Sequence, residues 1–317
     1  MPLPTDEKRL ALAGEVIETF DKVNGGVHAG FRPAHAKGQL IAGSFTPSPE
    51  AAELSTAPHF HAASTPVVAR FSDFPGIPVI PDNDPNASPR GFAIRFQLGE
   101  HKHTDIVSHS ADGFPARTAA ELVEFLKAVL ATKPDSPHPN PVEQFLGSHP
   151  KTLAFVQIPK PIPTSFAHES FFGVNAFILV NAAGVRRHIR YRIVPSAGRE
   201  HLDAAAAAAK GPNFLFEELP VRLAAGPIQM QLWAQLAGEG DILDDATEPW
   251  PETRPQVLLG VITLTGLVPD DDPDGKSIIF DPIPRVEGIE PSADPMLEER
   301  ADAYIVSGRR RRAAAGG

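Results

Sequence analysis

The chain contains, near its end, the stretch Asp294-Pro295-Met296-Leu297-Glu298-Glu299-Arg300-Ala301-Asp302-Ala303-Tyr304-Ile305-Val306-Ser307-Gly308. Asp at the cap, Pro at the first helical position and Gly after the end predict one helix. Arg300 and Tyr304 then lie four apart on one helical face. A guanidinium beside a phenol favours the phenolate, a strong ligand for ferric iron. Taken alone, the pair is better explained by an ordinary exposed Arg next to a half-buried Tyr.

Upstream of this helix, β-type runs punctuated by Gly and Pro dominate. The helical pattern recurs at 5–23, at 118–132 and in a short alanine run at 203–210, and a hairpin is predicted at 180–185. Strands are predicted at 39–45, 66–71, 91–98, 105–107, 176–181, 188–195, 227–236 and 256–267. Many strands with few helices favour an α+β protein, an antiparallel β-barrel with helices packed on it. Composition does not change along the chain, so we predict a single domain over residues 1–317.

Composition restricts the chemistry. The 317 residues include no Cys, which excludes disulfides, zinc–thiolate sites, iron–sulfur clusters and a thiol nucleophile. The net charge of −10 disfavours a nucleic acid or an anionic membrane as partner. The first residues lack a leader pattern, and the longest apolar run, 257–268, is shorter than the roughly 20 residues that span a bilayer. We therefore expect no membrane association and a cytoplasmic protein.

Several polar groups are candidate functional residues. His35 lies directly before a predicted strand, where a neutral imidazole in a pocket can act as acid or base, although a lone His is more often a core group. The pairs His59/His61 and His101/His103 have metal-ligand spacing, but the second pair is better explained as a solvated turn. The tail 309–312 is four arginines, either an anion site or a solvated end.

Four segments, taken in order, resemble the haem catalase family, and in particular its short members, the catalase-related peroxidases or minimal catalases. The first segment, 32–38, contains His35-Ala36-Lys37-Gly38, and the second is Ala69-Arg70-Phe71-Ser72. The third is 89–96, Pro-Arg-Gly-Phe-Ala-Ile-Arg-Phe. The fourth runs from Phe280-Asp281-Pro282 through 288–292 and Met296-Leu297 to Arg300 and Tyr304.

The resemblance implies a catalase-like barrel with long loops and haem b buried between the barrel and the C-terminal helix. Tyr304 is implied as the iron ligand, with Arg300 holding it as phenolate. His35 is the implied distal acid/base, supported by Ser72. Arg32, Arg70 and Arg311 are the implied partners of the haem propionates. The implied substrate is a hydroperoxide, reduced with electrons from a small organic donor, and a homodimer is the assembly we expect.

The sequence also departs from full-length catalases. After the strand at 105–107, those proteins place an Asn that orients peroxide, whereas His109 occupies that position here. The chain ends soon after the Tyr304 helix, which implies that the C-terminal helical domain is missing. These departures favour a peroxidase that reduces hydrogen peroxide and organic hydroperoxides, with weak catalase activity. Two alternatives stay open: a hydroperoxide isomerase like allene oxide synthase, and a β-barrel that binds haem without turnover.

Overall fold

The computed structural model describes residues 3–269 and 277–315, and residues 1–2, 270–276 and 316–317 of the predicted domain lie outside the described part. The helices are α1 (Glu7–Val23), α2 (Pro49–Leu54), α3 (Ala119–Ala131), α4 (Pro141–Ser148), α5 (Pro150–Gln157), α6 (Ala204–Ala208), α7 (Phe214–Ala225) and α8 (Pro295–Ala315). The strands are β1 (Gly38–Pro47), β2 (Thr65–Ser72), β3 (Gly91–Gly99), β4 (Lys102–His109), β5 (Phe171–Phe172), β6 (Phe177–Val180), β7 (Arg186–Pro195), β8 (Ile228–Leu236), β9 (Gln256–Leu267) and β10 (Ile289–Pro291).

Eight of the strands form a closed antiparallel barrel. The sheet runs β7-β5-β4-β3-β2-β1-β9-β8, and β8 pairs back onto β7 to close it. The strands β6 and β10 extend the sheet beside β7. Phenylalanine, isoleucine and leucine side chains fill the core, with Phe45, Phe71 and Phe96 fully buried. The predicted α+β class and barrel are confirmed.

One rim of the barrel is assembled by strand register. Ser72 at the end of β2 pairs with Gly38 on β1 and with Gly91 on β3. Gly91 in turn pairs with His109, which pairs with Phe172 on β5. Because paired residues on adjacent strands point to the same face, Ser72 and His109 present their side chains at one level of this rim.

A layer of three helices lies beside this rim. Val16 and Ile17 of α1, Ala119 and Val123 of α3 and Ala303 of α8 form a second apolar cluster. The Asp6 side chain caps α1, and Thr118 caps α3. Among the described residues, no helix is both long enough and apolar enough to cross a bilayer.

The helix predicted at 294–308 begins as expected but does not end at Gly308. The Asp294 carboxylate accepts the Met296 N–H at 2.9 Å, as an N-cap does. The helix runs on to Ala315, so Gly308 is not a C-cap. A Cβ at Gly308 would overlap the Ile279 side chain, and the glycine therefore permits close packing instead of ending the helix. The prediction of the helix end is wrong.

The arginine tail is consequently part of α8. Arg310 pairs with Asp21 of α1, and Arg311 is buried. Arg312 donates to the Ser277 carbonyl at 2.8 Å, while Arg309 is exposed. The alternative that these four arginines form a fully solvated end is therefore wrong.

Buried histidines are expected to make folding sensitive to acid. His59 is 1% exposed among phenylalanine rings, and burial lowers its pKa to about 3. Between pH 6.5 and 3 the unfolded chain therefore binds a proton that the native chain does not. His59 thus makes stability fall by about 1.4 kcal/mol per pH unit as the pH drops through this window.

His59→Leu is expected to remove the contribution of His59 to the pH dependence of the free energy of unfolding. Denaturant unfolding between pH 6 and 4 measures this dependence. The matched control is His101→Asn, because the His101 side chain is 94% exposed and its imidazole is in water in both states. A wild-type slope in His59→Leu would contradict the prediction.

Candidate active site

His35 lies in the loop between α1 and β1 with a left-handed backbone, at φ 60°. His, Asn and Asp tolerate this conformation better than other residues that carry side chains. The His35 N–H donates to the Phe74 carbonyl at 2.6 Å, and the Ala36 N–H donates to the Pro75 carbonyl at 3.0 Å. The strained turn is therefore held by its neighbours, as is typical of functional sites.

The His35 ring is seated on Ser72 and Gly91. His35 Nδ1 lies 3.0 Å from Ser72 Oγ. A Cβ at Gly91 would lie 2.5 Å from Ser72 Oγ and 2.7 Å from His35 Nδ1, so glycine is required beneath the ring. Burial, and then nearby cationic groups, lower the pKa of His35 to about 3. The imidazole is therefore neutral at neutral pH and has one bare nitrogen.

His109 reaches the same rim from β4. It is paired with Gly91, one strand beyond Ser72. Its Nδ1 accepts the Ala111 N–H at 3.3 Å, and its Nε2 is buried without a hydrogen-bond partner among the described residues. Burial, followed by the charges of Arg300 and Lys160, lowers the pKa of His109 to about 3.

Arg70 extends from β2 across β1 towards the His35 loop. Its guanidinium passes over Gly38, where a Cβ would come 2.5 Å from Cζ. It donates to the carbonyls of His35 and Ala36 at 3.0 and 3.1 Å. Burial, and then the charge of Arg311, lower the pKa of Arg70 to about 9.

Arg32 and Arg311 complete a cluster of three guanidiniums. Both donate to the Ile278 carbonyl, at 3.1 and 3.2 Å. Burial lowers the pKa of Arg32 well below its usual value. The charges of Arg70 and Arg311 lower this pKa further, whereas Tyr304 raises it. Among residues 3–269 and 277–315, no carboxylate forms an ion pair with Arg32 or Arg70. The cluster suits an anionic ligand.

Tyr304 is held by Arg300 one turn earlier on α8. Arg300 donates to the phenol oxygen through Nε at 3.2 Å and Nη2 at 2.9 Å. Its Nη1 donates to Asn175 Oδ1 at 2.6 Å, and Asn175 Nδ2 donates to Asp294 at 2.8 Å. The helix cap thereby positions Arg300, and Arg300 positions the phenol. Asn175 is a site residue that sequence reasoning missed.

A buried ionic network, which the sequence analysis did not predict, lies behind the loop that carries His35. Arg90 is fully buried, pairs with Asp73 and donates to the Asp82 carbonyl. Lys37 pairs with Asp82, whose other oxygen accepts the Leu215 N–H at 2.7 Å. Burial raises the pKa of Asp73 against the pull of Arg90. These contacts connect the loop that carries His35 to α7. Lys37 and Arg90 belong to the segments 32–38 and 89–96 that resemble the family, so the sequence contained a sign that both residues matter.

The site thus brings together all eight predicted residues. His35 is within electrostatic reach of Arg70, His109, Arg32 and Arg300. Arg300, Tyr304 and Arg311 lie within about 40° of one another on α8. The full set is Arg32, His35, Arg70, Ser72, His109, Arg300, Tyr304 and Arg311. In the described part of the chain, no group of three His, Cys, Asp or Glu side chains has metal-binding geometry, so the His-x-His pairs do not form such a site.

Some of these side chains lie deep yet are not fully covered. Burial strongly lowers the pKa of both Arg32 and His35, but these two residues and Tyr304 retain accessible surface. Part of each of these side chains therefore stays accessible to a small molecule. A surface cavity of about 380 Å³ lies elsewhere, against the opposite face of α8 at Glu298 and Asp302, and none of the eight residues lines it.

The fold and the site together define a class of protein: a closed antiparallel barrel whose rim carries a neutral histidine, buried arginines and a tyrosine held by arginine. The family model described as Catalase matches residues 28–315. The chain therefore belongs to the catalase family.

Among curated relatives, the catalase-related peroxidase of Mycolicibacterium paratuberculosis is 35% identical over 286 residues, covering 89% of this chain and 90% of that protein. The catalase-related peroxidase of Synechococcus elongatus is 35% identical, covering 89% of this chain and 84% of that protein. Among solved structures, a fungal catalase and catalase A from Saccharomyces cerevisiae each superpose with a TM-score of 0.77, at 22% and 21% identity. The alignments cover 89% of this chain but only 59% and 61% of those chains.

Catalases bind haem, and the residues present fit that group. Arg32 and Arg70 are cations without carboxylate partners in the described ranges, which suits two propionates. Tyr304 accepts two hydrogen bonds from a guanidinium, which suits a phenolate ligand. His35 and His109 stand on the barrel rim with neutral rings.

Gly91→Ala is expected to displace His35 and Ser72, because the new methyl group would overlap both. Misplacing a catalytic group by about 1 Å can cost about a hundredfold in rate. We expect such a loss in hydroperoxide turnover while haem binding persists, measured by kcat/KM and by the haem absorption band. Gly14→Ala on α1 is the control, since a Cβ there meets nothing within 4 Å. Equal turnover in the two variants would disprove the role of Gly91.

Proposed function

We propose that this protein is a haem b-dependent peroxidase that reduces hydrogen peroxide and organic hydroperoxides, with weak catalase activity. The observation that carries the proposal is the convergence at one barrel rim of a neutral His35 and an Arg300-bound Tyr304. The relatives named catalase-related peroxidase support the same activity over most of the chain.

The reaction consumes a hydroperoxide, two electrons and two protons, and yields an alcohol and water. When bound, haem would supply the redox chemistry that carries two electrons from the donor to the hydroperoxide. His35 takes the hydroperoxide proton at its bare ring nitrogen and returns it to the leaving oxygen as the O–O bond breaks. The Ser72 hydrogen bond keeps the ring in place during both transfers.

Residues from three parts of the site would hold or face the cofactor. Tyr304 is the proposed iron ligand, and Arg300 stabilises it as phenolate. Arg32, Arg70 and Arg311 are the proposed propionate partners. His109 is proposed as a second distal residue. A small organic electron donor, a homodimer, a cytoplasmic location and a single catalase-like domain over residues 1–317 complete the proposal, and the cysteine-free composition supports the location.

The test is to supply an organic hydroperoxide to the haem-loaded protein with and without a reducing donor. We expect alcohol only when the donor is present, and slow oxygen evolution from hydrogen peroxide. Rapid oxygen evolution without donor oxidation would instead make the protein a catalase. Rearrangement of a fatty-acid hydroperoxide without a donor would make it an isomerase. Haem uptake without any turnover would leave only a binding protein.

A further inference from the structure

The last turn of α8 carries an arginine that is fixed in position and yet exposed. Arg312 donates to the Ser277 carbonyl through Nε at 3.2 Å and through Nη2 at 2.8 Å. Its Nη1 has no hydrogen-bond partner in the described part of the chain, and the residue is exposed. Two bonds to one oxygen restrict the side chain, so less rotamer freedom is lost when a ligand binds to it. Arg312 is therefore a preorganised cation at the surface.

Arg312 lies beside the arginine cluster of the candidate active site. Arg32 and Arg311 donate to the carbonyl of Ile278, the residue that follows Ser277. Three guanidiniums thus converge on two consecutive carbonyls. Burial, and then the charge of Arg312, lower the pKa of Arg311 to about 10. The cluster is deep at Arg311, which is 6% exposed, and reaches the surface at Arg312.

The charge of Arg312 is not balanced by the side chains around it. Among residues 3–269 and 277–315, no carboxylate forms an ion pair with Arg312, or with the exposed Arg309 three residues earlier. The two propionates of haem b balance two guanidiniums, and Arg32 and Arg70 already account for two. The chain as a whole carries a charge of −10, so this part of the surface departs from the average. A small anion is the ligand that it favours.

The proposed peroxidase needs a binding place for its electron donor, because the hydroperoxide takes the side of His35. The cavity of about 380 Å³ on the opposite face of α8 has carboxylates at Glu298 and Asp302, which would favour a cation. The surface at Arg312 favours an anion instead and adjoins Arg32, a proposed propionate partner. A donor bound at Arg312 would therefore lie next to the residues that hold the cofactor.

We propose that Arg312 binds the electron donor through an anionic group, and that the donor is a small phenol that carries a carboxylate. This inference rests on the proposed function. Two donor molecules each lose one electron and the proton of the phenol O–H bond, and each becomes a phenoxyl radical. The hydroperoxide takes up these two electrons and two protons as its O–O bond breaks, which gives one alcohol and one water. Arg312 binds the donor and takes no part in the proton transfers.

Three phenols with the same frame and different charge test the preference for an anion. 4-Hydroxyphenylacetate is negative, 4-hydroxyphenylacetamide is neutral and tyramine is positive. Their kcat/KM is measured with saturating hydroperoxide at low ionic strength. We expect kcat/KM to decrease in that order for the wild-type protein, and the advantage of the acetate to shrink as salt is added, because salt screens exposed charges. A preference for tyramine would overturn the proposal.

Substitutions locate the preference at Arg312. An exposed ion pair contributes up to about fivefold in affinity, so kcat/KM for 4-hydroxyphenylacetate should fall by about threefold to fivefold in Arg312→Gln. Reversal of the charge in Arg312→Glu adds repulsion and should lower it by about tenfold, whereas the value for 4-hydroxyphenylacetamide should stay within about twofold in both variants.

Arg187→Glu is the matched control for the change in net charge. Arg187 is exposed on β7, five residues before Arg192, which lies at the level of the rim. We expect the control to oxidise all three phenols as the wild-type protein does. Equal losses in Arg312→Glu and Arg187→Glu, or no loss in Arg312→Glu, would overturn the proposal.

Titration without hydroperoxide gives a readout that needs no turnover. The Nε–H of Arg312 is followed in a ¹H–¹⁵N spectrum, where its signal is identified by its loss in Arg312→Gln. We expect 4-hydroxyphenylacetate to shift this signal until binding is saturated, and 4-hydroxyphenylacetamide to shift it much less. A signal that does not move, or that both compounds move equally, contradicts the proposal.

These measurements also separate the inference from the function on which it rests. A haem protein that reduces hydroperoxides with the neutral and the anionic phenol equally well retains the proposed function and loses the donor site at Arg312. A protein that takes up no haem, or that reduces no hydroperoxide with any of the three phenols, loses the proposed function even where the Arg312 signal still shifts.

Discussion

Tyr304→Phe is expected to abolish the absorption band of ferric haem with an oxygen ligand, together with peroxidase activity. The phenol oxygen is the proposed ligand, Arg300 donates to it at 2.9 and 3.2 Å, and phenylalanine supplies no oxygen. Removing a residue that only hydrogen-bonds to a metal ligand lowers metal affinity by about 10–100-fold. Removing the ligand itself should therefore lower haem affinity by more than about a hundredfold. Titration of the purified chain with haem, followed by absorption, measures this.

Tyr191→Phe is the matched control. The chain has only two tyrosines. Tyr191 is 3% exposed on β7, burial raises its pKa, and no arginine donates to its phenol oxygen among the described residues. We expect its variant to keep the haem band. If Tyr304→Phe kept the band and Tyr191→Phe lost it, the ligand assignment would be wrong.

Much of the proximal half of the site was predictable because it is local in sequence. One continuous stretch of sequence, 294–308, contains the Asp294 cap, the helix and the four-residue spacing of Arg300 and Tyr304. The structure shows all three features. Asn175 was not predictable, since it meets Arg300 only through the fold, 125 residues away along the chain. No pattern in the flanking sequence marks it.

The misread helix end has a similar cause. Glycine after an apolar run commonly ends a helix, so Gly308 predicts a stop. The structure uses the same absence of a side chain for packing against Ile279, a tertiary contact. Once the helix continues to Ala315, Arg311 falls on the face that carries Arg300 and Tyr304.

The sequence patterns also failed to predict four helices: α2, α4, α5 and α7. For α4 the signals were present: Asn140 and Glu143 form a capping box around Pro141 at the first position. The polar, proline-rich stretch before it predicts a loop, and α4 has no buried residue to give it a strong apolar face. α7 contains Pro220, which argues against a helix interior. Tertiary packing of Leu215 and Leu219 overrides that preference.

His35→Asn is expected to lower kcat/KM for hydroperoxide by about 10²–10⁴-fold, the range that a positioned acid/base group contributes. Asn is the appropriate replacement because it tolerates the φ of 60° at this position, so the loop and Arg70 stay in place. Tyr304 and Arg300 lie on α8, so the haem band should persist. Stopped-flow measurement of hydroperoxide consumption by the haem-loaded variant gives the rate.

The pH profile and two further variants separate a proton-transfer role from a structural one. Burial lowers the pKa of His35 to about 3, so the ring is neutral above that pH. The rate should therefore be constant between about pH 5 and 8 and should decrease below pH 5, as acid protonates the ring. Ser72→Ala removes one hydrogen bond to a neutral ring, about 1 kcal/mol, and should cost only about fivefold. His59→Leu removes another buried histidine, away from the rim, and should leave turnover unchanged. If His35→Asn turned over hydroperoxide within threefold of wild type, the acid/base group would have to lie elsewhere in the site.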